Sequence, residues 1–257
     1  MTRVLATALG IGLLVVAGCS NSENVVRPDP YALSERNLRT MAARIAEPAA
    51  DSTAEARRAQ YAARQMREAG LMPAFASSFF EFFDADGGGP EDPARAHILG
   101  YVPGRNPRYA GDLVIAAANL DSPGAAAVLE TARRLALEAL DTQVPERTLL
   151  VALWGPPRTG SVGVADFLDH PIWALEGIQR VVLLTADTSG ATRSQTMLEE
   201  LGIGSDIMSI PDNIGSEVPS SSEKGATPLT SFAEELYTHT RALTLVSDSL
   251  SHSAESR

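Results

Sequence analysis

An α/β domain with a mixed, largely parallel central sheet and helices on both faces is what this sequence predicts, and two observations carry the prediction. Short apolar runs alternate with helix-forming segments from about residue 97 to residue 201, the pattern of strands joined by crossover helices. The 257-residue chain has a single cysteine, Cys19, so whatever follows it folds without a disulfide, and a core of that size can do so. One domain over residues 34–250 is expected, with a loose tail at 251–257.

The first 18 residues have the composition of a secretory leader. Arg3 is followed by an apolar stretch too short to span a bilayer, and then by small residues leading into Cys19. The run Val16-Ala17-Gly18-Cys19 resembles a bacterial lipoprotein signal, which implies cleavage before Cys19 and lipidation of that residue. The expected consequence is an envelope protein held to a membrane through the lipid on Cys19. Ser20 in the next position implies the outer membrane, facing the periplasm, by the same resemblance. Residues 19–33, polar and broken by Pro28 and Pro30, then form a tether.

Helices are expected over residues 34–46 and 52–70, the second opened by the capping pattern Ser52-x-x-Glu55 and closed by Gly70. An aromatic-rich run at 76–84 and a Gly-Pro-Asp loop at 86–93 precede strands at 97–102 and 112–118, the latter continuously apolar and so buried. Ser122 as cap and Pro123 in the first turn start a helix running to about residue 140. A strand at 148–154, a helix at 161–169, a strand at 179–184 and a helix at 194–201 continue the alternation. Residues 212–227 form a polar loop, and a last helix covers 228–250.

The formal charge is −11, and loss of Arg3 with the leader makes it one unit more negative. Phosphate-rich partners need basic patches, so nucleic acid is excluded as a partner.

In an open α/β sheet, ligands bind beyond the carboxyl ends of the strands, so the residues there carry the functional signal. Three such places resemble the di-zinc aminopeptidase family that includes glutamate carboxypeptidase and the transferrin-receptor ectodomain. Where that family reads Gly-Ala-His-x-Asp-Ser, with a zinc-binding histidine, this chain has Ala117-Ala118-Asn119-Leu120-Asp121-Ser122. The family's loop carrying the metal-bridging carboxylate is absent, and Asp121-Ser122-Pro123-Gly124 runs directly into a family-like helix at 125–135. Where the family reads Trp-Gly-x-Glu-Glu-x-Gly-Leu-x-Gly-Ser, this chain has Trp154-Gly155-Pro156-Pro157-Arg158-Thr159-Gly160-Ser161-Val162-Gly163-Val164. Pro157 stands for the general base and Arg158 for a zinc ligand. Asp187-Thr188-Ser189-Gly190 resembles a zinc-binding Asp-x-x-Gly, with Thr185 an equal match in another register, and Tyr237-Thr238-His239-Thr240 resembles the terminal Tyr-His-Thr.

The resemblance implies a three-layer fold like that of the zinc exopeptidases, with a degenerate site made of Asn119, Asp121, Pro157, Arg158, Asp187 and His239. Two cations about 4 Å apart need a bridging carboxylate and several further ligands. Asp121, Asp187 and His239 are too few, Pro157 has no acid to act as base, and Arg158 puts a fixed positive charge where a cation would sit. No catalytic residue, metal or cofactor is therefore expected, and Arg158 either pairs with Asp121 or Asp187 or stands as a surface arginine in solvent.

The reading is of a binding or scaffolding module whose vestigial cleft takes a peptide or protein ligand. The alternative is a metal-dependent aminopeptidase-like hydrolase with a rearranged or single-zinc site using His239, the two aspartates and His97. A third reading is a purely structural envelope lipoprotein. A serine nucleophile is disfavoured because residue 159 is threonine where the hydrolase elbow has glycine.

Overall fold

The computed structural model describes residues 32–45, 47, 50–75, 77–82, 92–142, 144–155, 163–185, 188–210 and 228–245. Cys19 with its leader and the tether up to residue 31, residues 86–91 of the loop expected at 86–93, the loop at 212–227 and the tail all lie outside these residues. No helix among them is long and apolar enough to cross a membrane.

Helix α1 (Glu35–Ile45) buries Leu38, Met41 and Ile45, spaced three and four apart on one face. Helix α2 (Ser52–Glu68) buries Ala59, Ala62, Ala63 and Met66. Its cap is Asp51 rather than the expected Ser52: the Asp51 carboxylate accepts from the Ala54 amide at 2.8 Å. An ionised acceptor satisfies that orphan N–H better than a hydroxyl, and it favours the positive helix end. Gly70 then adopts φ +84, the left-handed backbone that ends the helix.

Short strands β1 (Met72–Pro73) and β2 (Phe80–Phe82) both pair antiparallel with β3 (Ala96–Val102). Strands β4 (Leu113–Asn119), β5 (Thr148–Trp154), β6 (Ile178–Thr185) and β7 (Gly204–Ser209) are mutually parallel, while β3 runs antiparallel to β5. The order is β1-β3-β5-β4-β6-β7, with β2 also on β3. This is the mixed, largely parallel sheet that the alternation predicts.

Alternate β4 residues explain the layers. Val114, Ala116 and Ala118 face a core shared with α1, α2, α3 (Pro123–Asp141) and α6 (Pro228–Thr244). Leu113, Ile115 and Ala117 face a second core with α4 (Gly163–Asp169) and α5 (Thr188–Glu200). Two-sided burial is why these strands read as continuous apolar runs.

Other elements depart from expectation, among them the last helix, which ends at Thr244 instead of near residue 250. Strand β7 has no apolar run to announce it, since an edge position leaves it half-covered and Gly204-Ser205-Asp206 reads as a turn. Helix α5 begins six residues earlier than predicted, because Thr188, Ser189 and Gly190 are poor helix formers that the first turn tolerates. Ser122 occupies the cap position of α3 but makes no cap bond; its hydroxyl donates instead to the Asn119 carbonyl at 2.8 Å.

Thr240 on α6 is wholly buried, and its hydroxyl has no hydrogen-bond partner among the described residues. Valine keeps the shape and removes the unpaired group, so Thr240→Val is expected to raise stability by about 1 kcal/mol. A denaturant midpoint that falls instead would show that the hydroxyl is satisfied in solution.

Candidate functional site

The topology picks out one end of the sheet. From β4 the chain crosses by α3 on one face to β5, on one side of β4; from β6, on its other side, it leaves by α5 on the opposite face. Helices leaving on opposite faces open a crevice between β4 and β6 at their carboxyl ends. Asn119 ends β4 there, and Asp121 follows in the turn; both are exposed.

The floor is built next door. Asn119 is in register with Trp154 of β5, which lies beside His97 of β3. Trp154 is buried, edge-on to His97 with ring centres 5.2 Å apart, and 5.7 Å from Phe167 of α4. Its indole N–H has no hydrogen-bond partner among the described residues. Gly163 is required beneath it: a Cβ there would sit 2.4 Å from Cβ and Cγ of Trp154. A second glycine, Gly124, lets the start of α3 approach β6 and Ile210, where a Cβ would meet Ile210 Cδ1 at 2.5 Å.

His97 is buried, and its Nδ1 accepts the Gly155 amide at 3.1 Å. A ring nitrogen that accepts carries no proton, so in the neutral ring the proton is on Nε2. Metal-binding histidines normally donate from the nitrogen that does not ligate. His97 is thus committed to holding the end of β5, and Nε2 has no free lone pair to offer a metal.

His239 lies elsewhere. Its Nε2 is 3.2 Å from Asp206 of β7, and Arg180 of β6 donates to both oxygens of that carboxylate, at 2.7 and 2.6 Å. Asp206 is level with Val182 and Ala116, three residues short of Asn119 and two strands across. At about 3.3 Å per residue and 4.8 Å per strand, that is roughly 10 Å along and 10 Å across from the crevice. The Arg180 guanidinium, aided by His239 and opposed by burial, holds the Asp206 carboxyl below its usual range. His239 is therefore not brought together with Asn119 or Asp121. Sequence reading missed Asp206 and Arg180, and the only signal for them was an acid inside a segment with no strand pattern.

Pro157, Arg158 and Asp187 lie outside the described residues, and with them both readings of Arg158. Among the described residues no three His, Cys, Asp or Glu side chains gather as metal ligands would.

The start of α3 gives the crevice its electrostatic character. With Pro123 lacking an N–H and Ser122 making no cap bond, the positive end of a 19-residue helix opens there.

No family model matches the chain, and no curated protein matches it in sequence. Among solved structures it is similar to the LapA aminopeptidase of Legionella pneumophila, at 11% identity and TM-score 0.48, covering 86% of this chain and 78% of that one. It is similar to a putative Zn-dependent exopeptidase of Bacteroides vulgatus at 15% identity and TM-score 0.46, covering 80% and 92%. It is also similar to the dipeptidase Dug1p of Saccharomyces cerevisiae at 12% identity and TM-score 0.40, covering 58% and 37%.

Proposed function

We propose that the chain is an envelope lipoprotein, anchored through Cys19, whose peptidase-like domain binds rather than cuts at the ends of β4 and β6. The observation that carries this is Asn119, which stands at the end of β4 in the place where the resembling family has its zinc-binding histidine. A neutral amide is a poor zinc ligand beside imidazole or carboxylate. The residue types at 157 and 158 support the same reading, since proline supplies no base and arginine repels a cation.

The ligand of the proposed site is a peptide or protein segment ending in a carboxylate. Arg158 offers such a group a two-pronged partner, and the positive end of α3 reinforces it. Zinc would be needed only by the alternative, hydrolytic reading, which requires His239 at the crevice. Its pairing with Asp206 counts against that reading.

Zinc content of the full-length protein after dialysis against micromolar zinc, read by plasma mass spectrometry, tests the proposal. The expected result is far less than one zinc per chain and no release of amine from amino-acid amides. Two tightly held zinc ions would restore the hydrolase. Cys19→Ala tests the anchor separately: the variant is expected in the soluble fraction, and its persistence in membranes would remove the lipid from the account.

A further inference from the structure

The two edges of the sheet are guarded differently. On one side β1 and β2 are two and three residues long and carry Pro73 and Glu81, devices that keep a foreign strand from pairing. On the other side β7 has six residues, with no proline, no lysine and no bulge in its pairing with β6. Among the described residues no strand covers its outer side, and none of the six is buried. Its single charge, Asp206, is turned toward α6 and held there by Arg180 and His239. We propose that β7 is a homodimer interface, pairing antiparallel with β7 of a second copy of this chain so that the two sheets become one.

The register follows from the backbone. The Ile210 amide donates to the Thr185 carbonyl of β6 at 3.0 Å, and main-chain groups alternate in direction along a strand. Ser205, Ile207 and Ser209 therefore turn their N–H and C=O groups to the open side. A twofold axis through Ile207 sets that residue against its own copy and Ser205 against the partner's Ser209. Every outward residue is then matched, each pair exchanging two hydrogen bonds. Asp206 lies opposite the partner's Met208, and the half-buried Ile207 gains an apolar neighbour across the axis. Moving the axis to Asp206 would bring two carboxylates face to face. Moving it to Met208 would set Ser205 against Pro211, which has no N–H to give.

A second copy suits this edge better than the chain's own continuation. Residues 211–227 include Pro211, Gly215, Pro219, Gly225 and the serine run 220–222, a composition that does not sustain a strand. The symmetry also suits a shared membrane. The twofold axis runs normal to the sheet, so the layer holding α1 and α3 faces the same way in both copies. On that layer Arg133 donates to the Ala32 carbonyl at 3.2 Å and the Ser34 amide donates to Glu130 at 3.0 Å, which fixes where the N-terminal segment leaves the fold. Both copies thus direct residues 19–31, up to about 45 Å long when extended, toward one surface. Two chains on one membrane also meet at a raised effective concentration. The membrane step rests on the anchoring proposed for Cys19; the edge and its register do not.

Sedimentation of the full-length protein in detergent micelles should show a dimer at micromolar concentration. A short bismaleimide should link Ile207→Cys to its copy at least about tenfold faster than Leu140→Cys, which is 73% exposed near the end of α3 and reports random collision. Ser205→Cys should link no faster than that control, because its own copy lies four residues along the paired strand, about 14 Å away. Ser209→Pro removes an outward N–H and leaves the bonds to β6, so it should give a folded monomer by sedimentation and thermal melting. Ile207→Lys should do the same. At raised concentration the preference for Ile207 should persist in Cys19→Ala, so failure of the anchor leaves the edge pairing standing. A monomer at every concentration, equal linkage at residues 207 and 140, or a dimer indifferent to both Ser209→Pro and Ile207→Lys would overturn the proposal. So would slow amide exchange at Ile207 in a monomeric sample, which would show the chain's own continuation covering the edge.

Discussion

Gly163→Ala is expected to destabilise the domain by about 3 kcal/mol, at the upper end of what overpacking a core costs. The added methyl would lie 2.4 Å from Cβ and Cγ of Trp154, atoms at the root of the side chain that no rotamer change can move. Trp154 cannot retreat, because His97 and Phe167 hold its ring and the sheet lies behind it. The strain must instead push α4 away from β5. At about 3 °C per kcal/mol for a chain of this size, the melting temperature should fall by roughly 9 °C. Near-ultraviolet circular dichroism should lose tryptophan signal in parallel. A melting temperature within about 2 °C of the parent would mean that α4 does not pack on Trp154 as described. The glycine thus has a packing reason that is independent of any chemistry at the strand ends.

That reason shows which parts of the molecule were legible in the sequence. Strands β4 and β5 were, because burial on both faces forces six successive apolar residues in β4, from Leu113 to Ala118, and seven buried residues in β5, from Thr148 to Trp154. Strand β7 was not: an edge strand needs only alternate cover, and Asp206 among small residues gives no period. The place of the candidate site followed from strand ends alone, and Asn119 and Asp121 are there. The His239 assignment rested on a short pattern with one inserted residue, and on a helix one residue is a turn of about 100°. The imidazole meets Asp206 instead of the crevice. Its partner lay 33 residues away in a segment without a pattern, and no local rule connects the two.

A second large effect is expected where α3 and α6 are tied together. The Glu138 carboxylate, 8% exposed, accepts from Arg241 Nε at 2.9 and 3.0 Å and from Nη2 at 2.6 Å, and the Tyr237 hydroxyl donates to it at 3.0 Å. Arg134 lies 3.5 Å over the Tyr237 ring and pairs with Glu234 at 2.8 Å. Removing the central carboxylate leaves one guanidinium stranded against its neighbour. Glu138→Ala should therefore cost about 2–3 kcal/mol, below the range for fully buried pairs because Arg241 is 37% exposed and water can reach it. The acid response has a definite sign. Burial works against ionisation of Glu138, but the bonds from Arg241 and Tyr237 and the charges of Arg241 and Arg134 outweigh it, so its pKa lies below the ordinary glutamate value. A carboxyl depressed in the folded state binds protons more readily when unfolded. Its contribution is complete above the unfolded value and drains away as pH falls through the folded one. The Asp206 carboxyl, held down first by Arg180, adds a loss of the same sign. Melting temperatures of the parent should thus drop as pH is lowered from neutrality past the ordinary carboxylate range. Glu138→Gln should begin lower at neutral pH and fall less over the same interval, and parallel curves would show that Glu138 does not draw its stabilising effect from charge.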